Sequence, residues 1–385
     1  MSEPVWILGG LRSFIGVKNG IYCRIPAEIL GAEVLKELKK RLALNDTDID
    51  LIIGGNAVAG GGNITRLAAL EAGICRQVPA MTIDLQCASA LTAVSTAAAR
   101  IRSGMADLVI AGGLESVSTQ PLLSFNPNHP LYESGTYTTS RFSTGKRDEQ
   151  AMIRGAERTA LTAHISKTDM DPWIRKSHNR AAVAKRQGLL SDVQLSIAGS
   201  NRDEGVREHM SQRLLDRLPY LLPDGQSITA GNACLMNDGA AFVALCSDRW
   251  LRTHNRSAAF CFCCDVLCGG DPDQSPRCAP LAIHRLLEQN SLDYRQIDAF
   301  EVNEAFAVID VLFAREFPGM EDCYNIFGGA LAYGHPYGAS GAILLLHLME
   351  ALKLRRGRFG ICCAAAAGGI GDAFLIERVF DQTNF

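Results

Sequence analysis

The sequence predicts an α/β fold that is built from two similar halves. Short apolar runs alternate with helical segments along most of the chain. A small-residue or apolar helix, a strand-like run and a Gly-Gly pair follow one another near residue 100 and again near residue 350. A long polar stretch separates these two units. Together the three observations predict a duplicated α/β body that carries one insertion.

The first half supplies four strand-like runs, VWILGG, LIIGGN, AMTIDLQ and DLVIAGG. Helical segments lie between them at residues 27–42, 65–72 and 88–103. The last strand begins at Leu108, and the pair Gly112-Gly113 is expected to end it. This half is placed at residues 1–250.

The stretch from about 119 to 228 has a different texture. It begins with a polar segment rich in Pro, Ser and Thr and continues into amphipathic helical sequence such as residues 174–187. A segment of this kind inside an α/β body is typical of an insertion or a lid. We therefore expect an inserted loop domain within the N-terminal half.

Alternation resumes after the insertion and continues through the C-terminal half, residues 251–385. Helices are expected at 280–289 and 340–354. Cys87 opens the central helix of the first half, and His335 precedes the corresponding helix of the second. Because duplicated halves placed side by side bring corresponding strand ends together, we expect these two side chains to share a site.

The composition is that of an ordinary soluble globular protein. Of 385 residues, 47% are hydrophobic and 21% are charged, which is enough for a substantial core without metal or disulfide staples. A net charge of -3 without a long basic run excludes an electrostatic nucleic-acid footprint. We expect no signal peptide and no membrane span, since Met1 leads directly into a strand-like segment and no charge-free apolar stretch is long enough.

Thirteen cysteines are present, but they are not spaced as a disulfide framework. Most lie in strand-like runs, so we interpret them as small buried hydrophobes of a cytosolic protein. Cys261, Cys263, Cys264 and Cys268 in CFCCDVLC leave a zinc site as an alternative, although no second CxxC or HxxxH complements them. The expected metal content is therefore none.

Cys87 is the first candidate for chemistry. It lies directly after an apolar strand and at the start of a small-residue helix, in DLQCASALTAV. The positive end of the helix dipole is expected to favour the thiolate there. For an isolated cysteine, a buried structural thiol would be the ordinary interpretation.

Five blocks of the sequence, however, resemble those of thiolases, in the same order and at similar spacing. They are CASA at 87–90, AGGLESVS at 111–118, TAGNACLMNDGAA at 229–241, NEAFA at 303–307 and GGALAYGHPYGASGA at 328–342. The resemblance covers essentially the whole chain. It implies a five-layered αβαβα thiolase fold with a loop domain inserted in the first half. It also implies acyl-CoA thioesters as substrates, no separate cofactor, and a homodimer or homotetramer.

The resemblance also implies roles for individual residues. Cys87 would be the nucleophile that carries the acyl group, and His335 the imidazole that activates it. Asn303 would hold a water that, with His335, receives the oxyanion of the second thioester, although an asparagine there also suits a helix cap. Ala367 and Gly368 occupy the backbone positions of the C-terminal oxyanion loop.

One departure from the thiolase pattern concerns the base for carbon–carbon chemistry. The last block normally carries a cysteine two residues before three glycines, but here ICCAAAAGGIG puts Ala365 in that place. Cys363 lies two residues earlier, on the same face of an extended strand but about 7 Å away. It is a candidate surrogate acid/base only if a local bulge shifts the strand.

Two further departures affect the surroundings of the site. Cys234, beside Ala233, stands where thiolases commonly have a serine that contacts the pantetheine arm of CoA. Phe327 replaces a second asparagine, so we expect a more apolar pocket near His335.

These features predict a thiolase-type acyl-CoA acyltransferase that works through an acyl-Cys87 thioester, similar to an acetyl-CoA C-acetyltransferase of lipid metabolism. The absent base at Ala365 leaves two alternatives open. One is a condensing or acyl-transfer subunit that depends on a companion protein, and the other is a non-catalytic thiolase-like protein that binds acyl-CoA. Retention of Cys87, His335 and Asn303 together argues against the non-catalytic alternative.

Overall fold

A computed structural model describes residues 3–59, 61–132 and 134–380. The described residues form eleven strands: β1 Val5–Ser13, β2 Gly16–Val17, β3 Leu51–Gly55, β4 Ala80–Ile83, β5 Leu108–Ser116, β6 Gln194–Leu195, β7 Asn237–Ser247, β8 Phe260–Gly269, β9 Ala299–Val302, β10 Phe359–Ala366 and β11 Ile370–Arg378. They also form eleven α-helices: α1 Ala27–Arg41, α2 Ile64–Glu71, α3 Ser89–Arg102, α4 Ala151–Thr162, α5 Lys167–Gln187, α6 Gln212–Asp216, α7 Asp248–Thr253, α8 Cys278–Gln289, α9 Val308–Glu316, α10 Ala330–Tyr333 and α11 Ser340–Arg355.

The strands share one sheet whose order displays the duplication. Its main path runs β4-β3-β5-β7-β1-β8-β11-β10-β9, with β2 added to β7 and β6 to β1. In the first half β3 and β5 are parallel, and β7 and β1 follow antiparallel. In the second half β9 and β10 are parallel, and β11 and β8 follow antiparallel. The two halves meet where β1 pairs antiparallel with β8. On each side of this junction the strands follow in the same pattern, so β1, β7, β5 and β3 correspond to β8, β11, β10 and β9.

Helices α3 and α11 form the centre of the molecule. Helix α11 is apolar on all sides and is buried along almost its whole length, as expected of a helix enclosed by other layers. Helix α3 presents small residues to it, so the two helix starts approach closely. A Cβ added to Gly341 would lie 2.3 Å from the backbone nitrogen of Leu91. This close contact brings the two segments that precede the helices, residues 85–88 and 335–339, to the same region.

The predicted end of β5 at the glycine pair is wrong. The strand continues through Gly112 and Gly113 to Ser116. A Cβ on Gly113 would lie 1.9 Å from the carbonyl oxygen of Gly338, and one on Gly112 would lie 2.0 Å from that of Ala241. The glycines therefore permit close tertiary approach and do not terminate the strand.

The segment between β5 and β7 contains α4, α5, β6 and α6 and extends across onto the second half. Helix α5 packs against α9 and α10, and α4 packs against residues 272–277. Ser177 of α5 donates a hydrogen bond of 2.7 Å to Glu304, in the block that follows β9. No helix among residues 3–59, 61–132 and 134–380 is both long and apolar enough to cross a membrane.

Candidate active site

Cys87 lies in a tight turn between β4 and α3. Gln86, just before it, has a left-handed backbone with φ of 52°, which is uncommon for a residue other than glycine. The hydroxyl of Ser89 accepts from the Leu85 backbone N–H at 2.8 Å and donates to the Gln86 carbonyl at 2.7 Å. Side-chain hydrogen bonds therefore fix the turn that presents the thiol at the helix start. Backbone strain of this kind is common at functional sites.

The thiol of Cys87 has apolar surroundings. It packs with Ala88 and Ala366, and Leu85, Tyr337 and Ile370 cover the cluster. Burial raises the pKa of Cys87 to about 12, even though the backbone N–H groups of Ala367 and of Cys87 itself donate to the sulfur. The resting sulfur is thus a neutral thiol. The expectation that the helix start would favour a standing thiolate is not supported, because desolvation is the larger effect.

His335 is held on both ring nitrogens. Its Nδ1 lies 2.6 Å from the Ser340 hydroxyl, which itself donates to the Pro336 carbonyl at 3.0 Å. Since that hydroxyl has only one proton, Nδ1 is the protonated nitrogen and donates to Ser340. Nε2 then carries the lone pair and accepts from the side-chain amide of Asn303 at 3.2 Å.

The electrostatics agree with a neutral base. Burial lowers the pKa of His335 to about 3, so the imidazole is uncharged at neutral pH. The backbone of this residue is fixed as well, because its N–H donates to the Asn237 side-chain oxygen at 3.0 Å. The imidazole is therefore a neutral, oriented proton acceptor.

Asn303 follows β9 directly. Its backbone N–H donates to the Cys363 carbonyl at 2.9 Å, which fixes it to the neighbouring strand β10. Glu304, the next residue, accepts hydrogen bonds from Asn325 and Ser177 and is fully enclosed. The amide of Asn303 is thus placed against His335 by backbone pairing, and it does not cap the next helix, which begins at Val308.

Tyr337 links the nucleophile to the base. Its ring packs onto the cluster around Cys87, and its centroid lies 5.0 Å from that of His335 in an edge-to-face arrangement. The structure therefore brings the turn of Cys87 and the pair of His335 and Asn303 to one place. Among the described residues, no side-chain hydrogen bond joins the Cys87 thiol to His335, and such bonds often form only in the substrate complex.

The other predicted positions fall on two sides of β10. Ala367 reaches the sulfur of Cys87 through its backbone N–H, and Gly368 follows it with a left-handed φ of 86°. Ala365 pairs with Gly371 on the face that packs against α8. Cys363 is on that same face, where its thiol donates to the Ala279 carbonyl at 3.4 Å.

The position along the strand does not favour Cys363 as the surrogate acid/base, because it is two residues further than Ala365 from Ala366 and Ala367, which contact Cys87. The thiol lies in the apolar cluster between β10 and α8, and burial raises its pKa well above the usual value. No bulge interrupts the pairing of β10 with β11, so the local shift that the surrogate role requires does not occur. Among the described residues, no group of three or more potential metal ligands is present at CFCCDVLC or elsewhere.

Cys234 and Ala233 line the block that contains Asn303. Ala233 pairs with Phe306, and the Cys234 backbone N–H donates to the Ala305 carbonyl at 2.9 Å. Burial raises the pKa of Cys234, with the nearby Cys87 as a second cause. Phe327 instead lies in the core, where its ring faces His347 edge-on, so it alters the layer behind His335 more than the cleft.

Glu115 is a buried residue of the site that the motifs alone did not identify as important. Its carboxylate accepts from the Gly338 backbone N–H at 2.8 Å, from the Ala57 N–H at 2.9 Å and from the Asn56 side chain at 2.8 Å. Burial raises its pKa to about 7. The sequence contained a signal for this role, because Glu115 lies inside the glycine-rich strand AGGLES. A buried carboxylate needs several hydrogen-bond donors around it.

Ser340 was also missed, although it lies five residues after His335 and begins the helix that follows it. A groove of about 390 Å³ on the inserted segment is a further feature outside the motifs. Arg175 and Arg207 line it together with His178, His209 and Asn179. Glu208 also lines it, so the two arginines leave a net positive charge, which suits a phosphorylated ligand.

Both halves of the chain match models of one protein family. Residues 5–249 match the thiolase N-terminal domain, and residues 262–378 match the thiolase C-terminal domain. A putative acetyl-CoA C-acetyltransferase VraB of Staphylococcus epidermidis is 34% identical over 385 residues, covering 98% of this chain and 99% of that protein. A putative acetyl-CoA C-acetyltransferase YhfS of Bacillus subtilis is 32% identical over 374 residues, covering 96% and 98%.

Among solved structures, the crystal structure of the Bacillus anthracis acetyl-CoA acetyltransferase superposes with a TM-score of 0.92 at 27% sequence identity. The match covers 98% of this chain and 99% of that one, so the duplicated α/β body has the thiolase fold. The chain belongs to the thiolase family and is a thiolase-type acyltransferase.

Proposed function

We propose that this protein takes the acyl group of an acyl-CoA onto Cys87 as a thioester, with acetyl-CoA as the preferred donor. The observation that carries the proposal is the pair of hydrogen bonds on His335. Ser340 accepts from Nδ1, so the lone pair of the neutral ring is on Nε2. Asn303 donates to that lone pair in the resting structure, and Nε2 would take the proton of the neutral thiol when this hydrogen bond breaks. The names of the relatives from Staphylococcus epidermidis and Bacillus subtilis motivate the choice of an acetyl group.

The first half-reaction follows from these positions. The sulfur of Cys87 bonds to the thioester carbonyl carbon while its proton passes to Nε2 of His335. The developing oxyanion is received by the backbone N–H groups of Cys87 and Ala367, which already donate to the sulfur. The bond to the CoA sulfur then breaks, and CoA leaves as a thiol with the proton from His335. No metal or further cofactor is required.

The second half-reaction depends on the acceptor, because Ala365 has no side chain that can remove an α-proton. An acceptor such as a malonyl thioester would generate its own carbanion by losing carbon dioxide, with Asn303 and His335 positioned at its carbonyl oxygen. Acyl transfer to another nucleophile needs no carbon acid at all. We propose that one of these routes completes the cycle of the native protein.

The CoA moiety has two candidate contacts. Cys234 and Ala233 lie next to the block of Asn303 and would flank the pantetheine arm near the thioester. Arg175 and Arg207 of the cationic groove would bind the phosphates at the other end. Since these arginines lie on the inserted segment, that segment would act as the CoA-binding part of the enzyme.

Intact-mass spectrometry after mixing with acetyl-CoA tests the proposal. Wild type should gain one acetyl group and release one equivalent of CoA, and Cys87→Ala should do neither. Cys363→Ala is the matched control, because this second buried thiol donates to the Ala279 carbonyl and packs in the cluster between β10 and α8. It should be acetylated like wild type. Absence of any adduct on wild type would refute the proposal.

Two alternatives have specific outcomes in the same assays. A partner-dependent subunit would acquire acceptor activity only after a companion protein is added, and efficient thiolysis of acetoacetyl-CoA by the pure protein would exclude it. A non-catalytic protein would bind acyl-CoA without acylation or CoA release. The oriented base at His335 disfavours that second alternative.

We further propose a cytoplasmic homo-oligomer that serves lipid metabolism. All thirteen cysteines are free thiols, which suits a reducing compartment. Strand β4 ends the main path of the sheet and has half-buried residues throughout, and Leu67 and Leu70 of α2 are exposed next to it. An edge of this kind suits pairing with a second copy. Light scattering after size-exclusion chromatography would show a dimer or tetramer, and a monomer would contradict this.

A further inference from the structure

His347 is a buried side chain of α11 that the proposed mechanism does not use. Its ring lies between those of Tyr333 and Phe327, with centroid separations of 5.3 and 6.3 Å. Nε2 of His347 has no hydrogen-bond partner among the described residues. Burial lowers the pKa of His347, and the nearby Arg12 guanidinium lowers it further, so the ring is neutral. A buried ring nitrogen without a partner costs free energy unless something else binds to it.

A small cavity adjoins this nitrogen-bearing ring. Its volume is about 20 Å³, and its polar side chains are His347, Ser340, Asn303 and Tyr333, whose hydroxyl already donates to the Phe327 carbonyl at 2.7 Å. A single water molecule needs roughly 10–15 Å³ and two or more polar partners. The cavity is therefore large and polar enough for one water and too small for a substrate.

The lining connects the cavity to the catalytic imidazole. Ser340 and Asn303 are the two side chains that bind the ring nitrogens of His335. The hydroxyl of Ser340 accepts from Nδ1 and donates to Pro336, so one lone pair on its oxygen remains free. A water in the cavity can donate to that lone pair and bind Nε2 of His347 with its other hydrogen.

We infer that this cavity binds a structural water and that His347, through this water and Ser340, is a positioning residue for His335. The water would hold the Ser340 oxygen toward Nδ1 and thereby keep the lone pair on Nε2, the nitrogen that lies against Asn303 and would take the proton of Cys87. The effect on reactivity rests on the proposed function, because it concerns proton removal from Cys87. The presence of a water in the cavity is independent of the proposed function.

The expected kinetic effect is modest. His347→Leu removes the water ligand, and the loss of one neutral hydrogen bond to Ser340 should slow alkylation of Cys87 by iodoacetamide about 3- to 10-fold. His347→Gln keeps a polar group on the cavity and should react within about twofold of wild type. Leu345→Met is the packing control, since Leu345 is buried on the same helix but does not line the cavity.

The experiment combines three measurements on the full-length protein. From pH 6 to 9, His347→Leu should be alkylated more slowly than wild type, and His347→Gln should be alkylated at nearly the wild-type rate. The melting temperatures of the variants should not fall in step with these rates. A high-resolution crystal structure of wild type should contain a water within hydrogen-bond distance of His347 and Ser340. An empty cavity, or a His347→Leu profile equal to that of wild type and Leu345→Met, would overturn the inference. If acetyl-CoA does not acylate the wild type, the proposed function is refuted. The crystallographic result would then decide whether His347 binds a structural water.

Discussion

Replacement of Ser340 by alanine tests whether the tautomer of His335 controls the chemistry. The hydroxyl accepts from Nδ1 at 2.6 Å, so its removal leaves a buried N–H without a partner. The loss grows when Nε2 takes the proton of Cys87, because the imidazolium would be a charged donor to Ser340. A hydrogen bond to a charged group contributes roughly 1.5–3 kcal/mol, against about 1 kcal/mol for a neutral one.

The free energy that appears only in the charged state belongs to the barrier of acylation. The difference between the charged and the neutral hydrogen bond is about 0.5–2 kcal/mol, so acylation should slow by about 2- to 30-fold. The folded state should lose only about 1–2 kcal/mol of unfolding free energy, since the neutral hydrogen bond alone is lost there. Acylation should therefore be slower than in a variant that loses the same unfolding free energy without touching His335.

Rapid-quench measurement of CoA release from acetyl-CoA gives the acylation rate, and urea unfolding gives the stability. Ser95→Ala is a suitable control. It removes a hydroxyl from α3 that is buried and has no hydrogen-bond partner in the part of the chain that the structure describes, so neither rate nor stability should fall. An acylation rate of Ser340→Ala that equals that of Ser95→Ala would refute the assignment of Nδ1 as the donor and of Nε2 as the base.

Three further predictions concern other parts of the site. Burial raises the pKa of Glu115 from 4.5 to about 7, so the stability that its protonated form contributes is complete below pH 4.5 and is lost as the pH rises through 7. In Glu115→Gln the fall in unfolding free energy between pH 4.5 and 8, measured with urea, should be smaller by about 2–4 kcal/mol. The same fall in wild type and Glu115→Gln would contradict this. Ala365→Cys should raise acetoacetyl-CoA thiolysis at least about tenfold by restoring the acid/base of the second half-reaction, and equal thiolysis in both proteins would show that the missing thiol is not limiting. Gly113→Ala should lower the unfolding free energy by at least about 3 kcal/mol and slow acylation of Cys87. The new Cβ would lie 1.9 Å from the Gly338 backbone oxygen, which cannot rotate away. Near-native stability in calorimetry would contradict this prediction.

The sequence predicted the helices that carry the site within one or two residues. Residues 88–103 and 340–354 were expected, and Ser89–Arg102 and Ser340–Arg355 are observed. Their apolar periodicity is a local property of the sequence, so it can be recognised without knowledge of the fold. The duplication was predictable for the same reason, because each half repeats its own local pattern.

What the sequence could not supply depends on contacts between the halves. Gly112 and Gly113 resemble a strand end, but their role is set by carbonyl groups more than a hundred residues away in the chain. The pKa of Cys87 likewise depends on how completely Tyr337 and Ala366 cover it, which no local pattern records. Helix position alone predicted the opposite direction of the pKa shift.

Burial of both reacting groups also bears on the fate of the acyl-enzyme. Cys87 is a neutral thiol and His335 a neutral imidazole, so an ion pair between them would be desolvated and costly. A thioester on Cys87 is uncharged and suits the cover of Leu85, Ile370 and the neighbouring alanines. With no thiol at Ala365 to open the second half-reaction, the acyl-enzyme should accumulate as soon as acetyl-CoA is present. A burst of CoA release followed by slow turnover is therefore the expected kinetic signature of this site, and steady turnover without a burst would show that deacylation has a base the structure does not reveal.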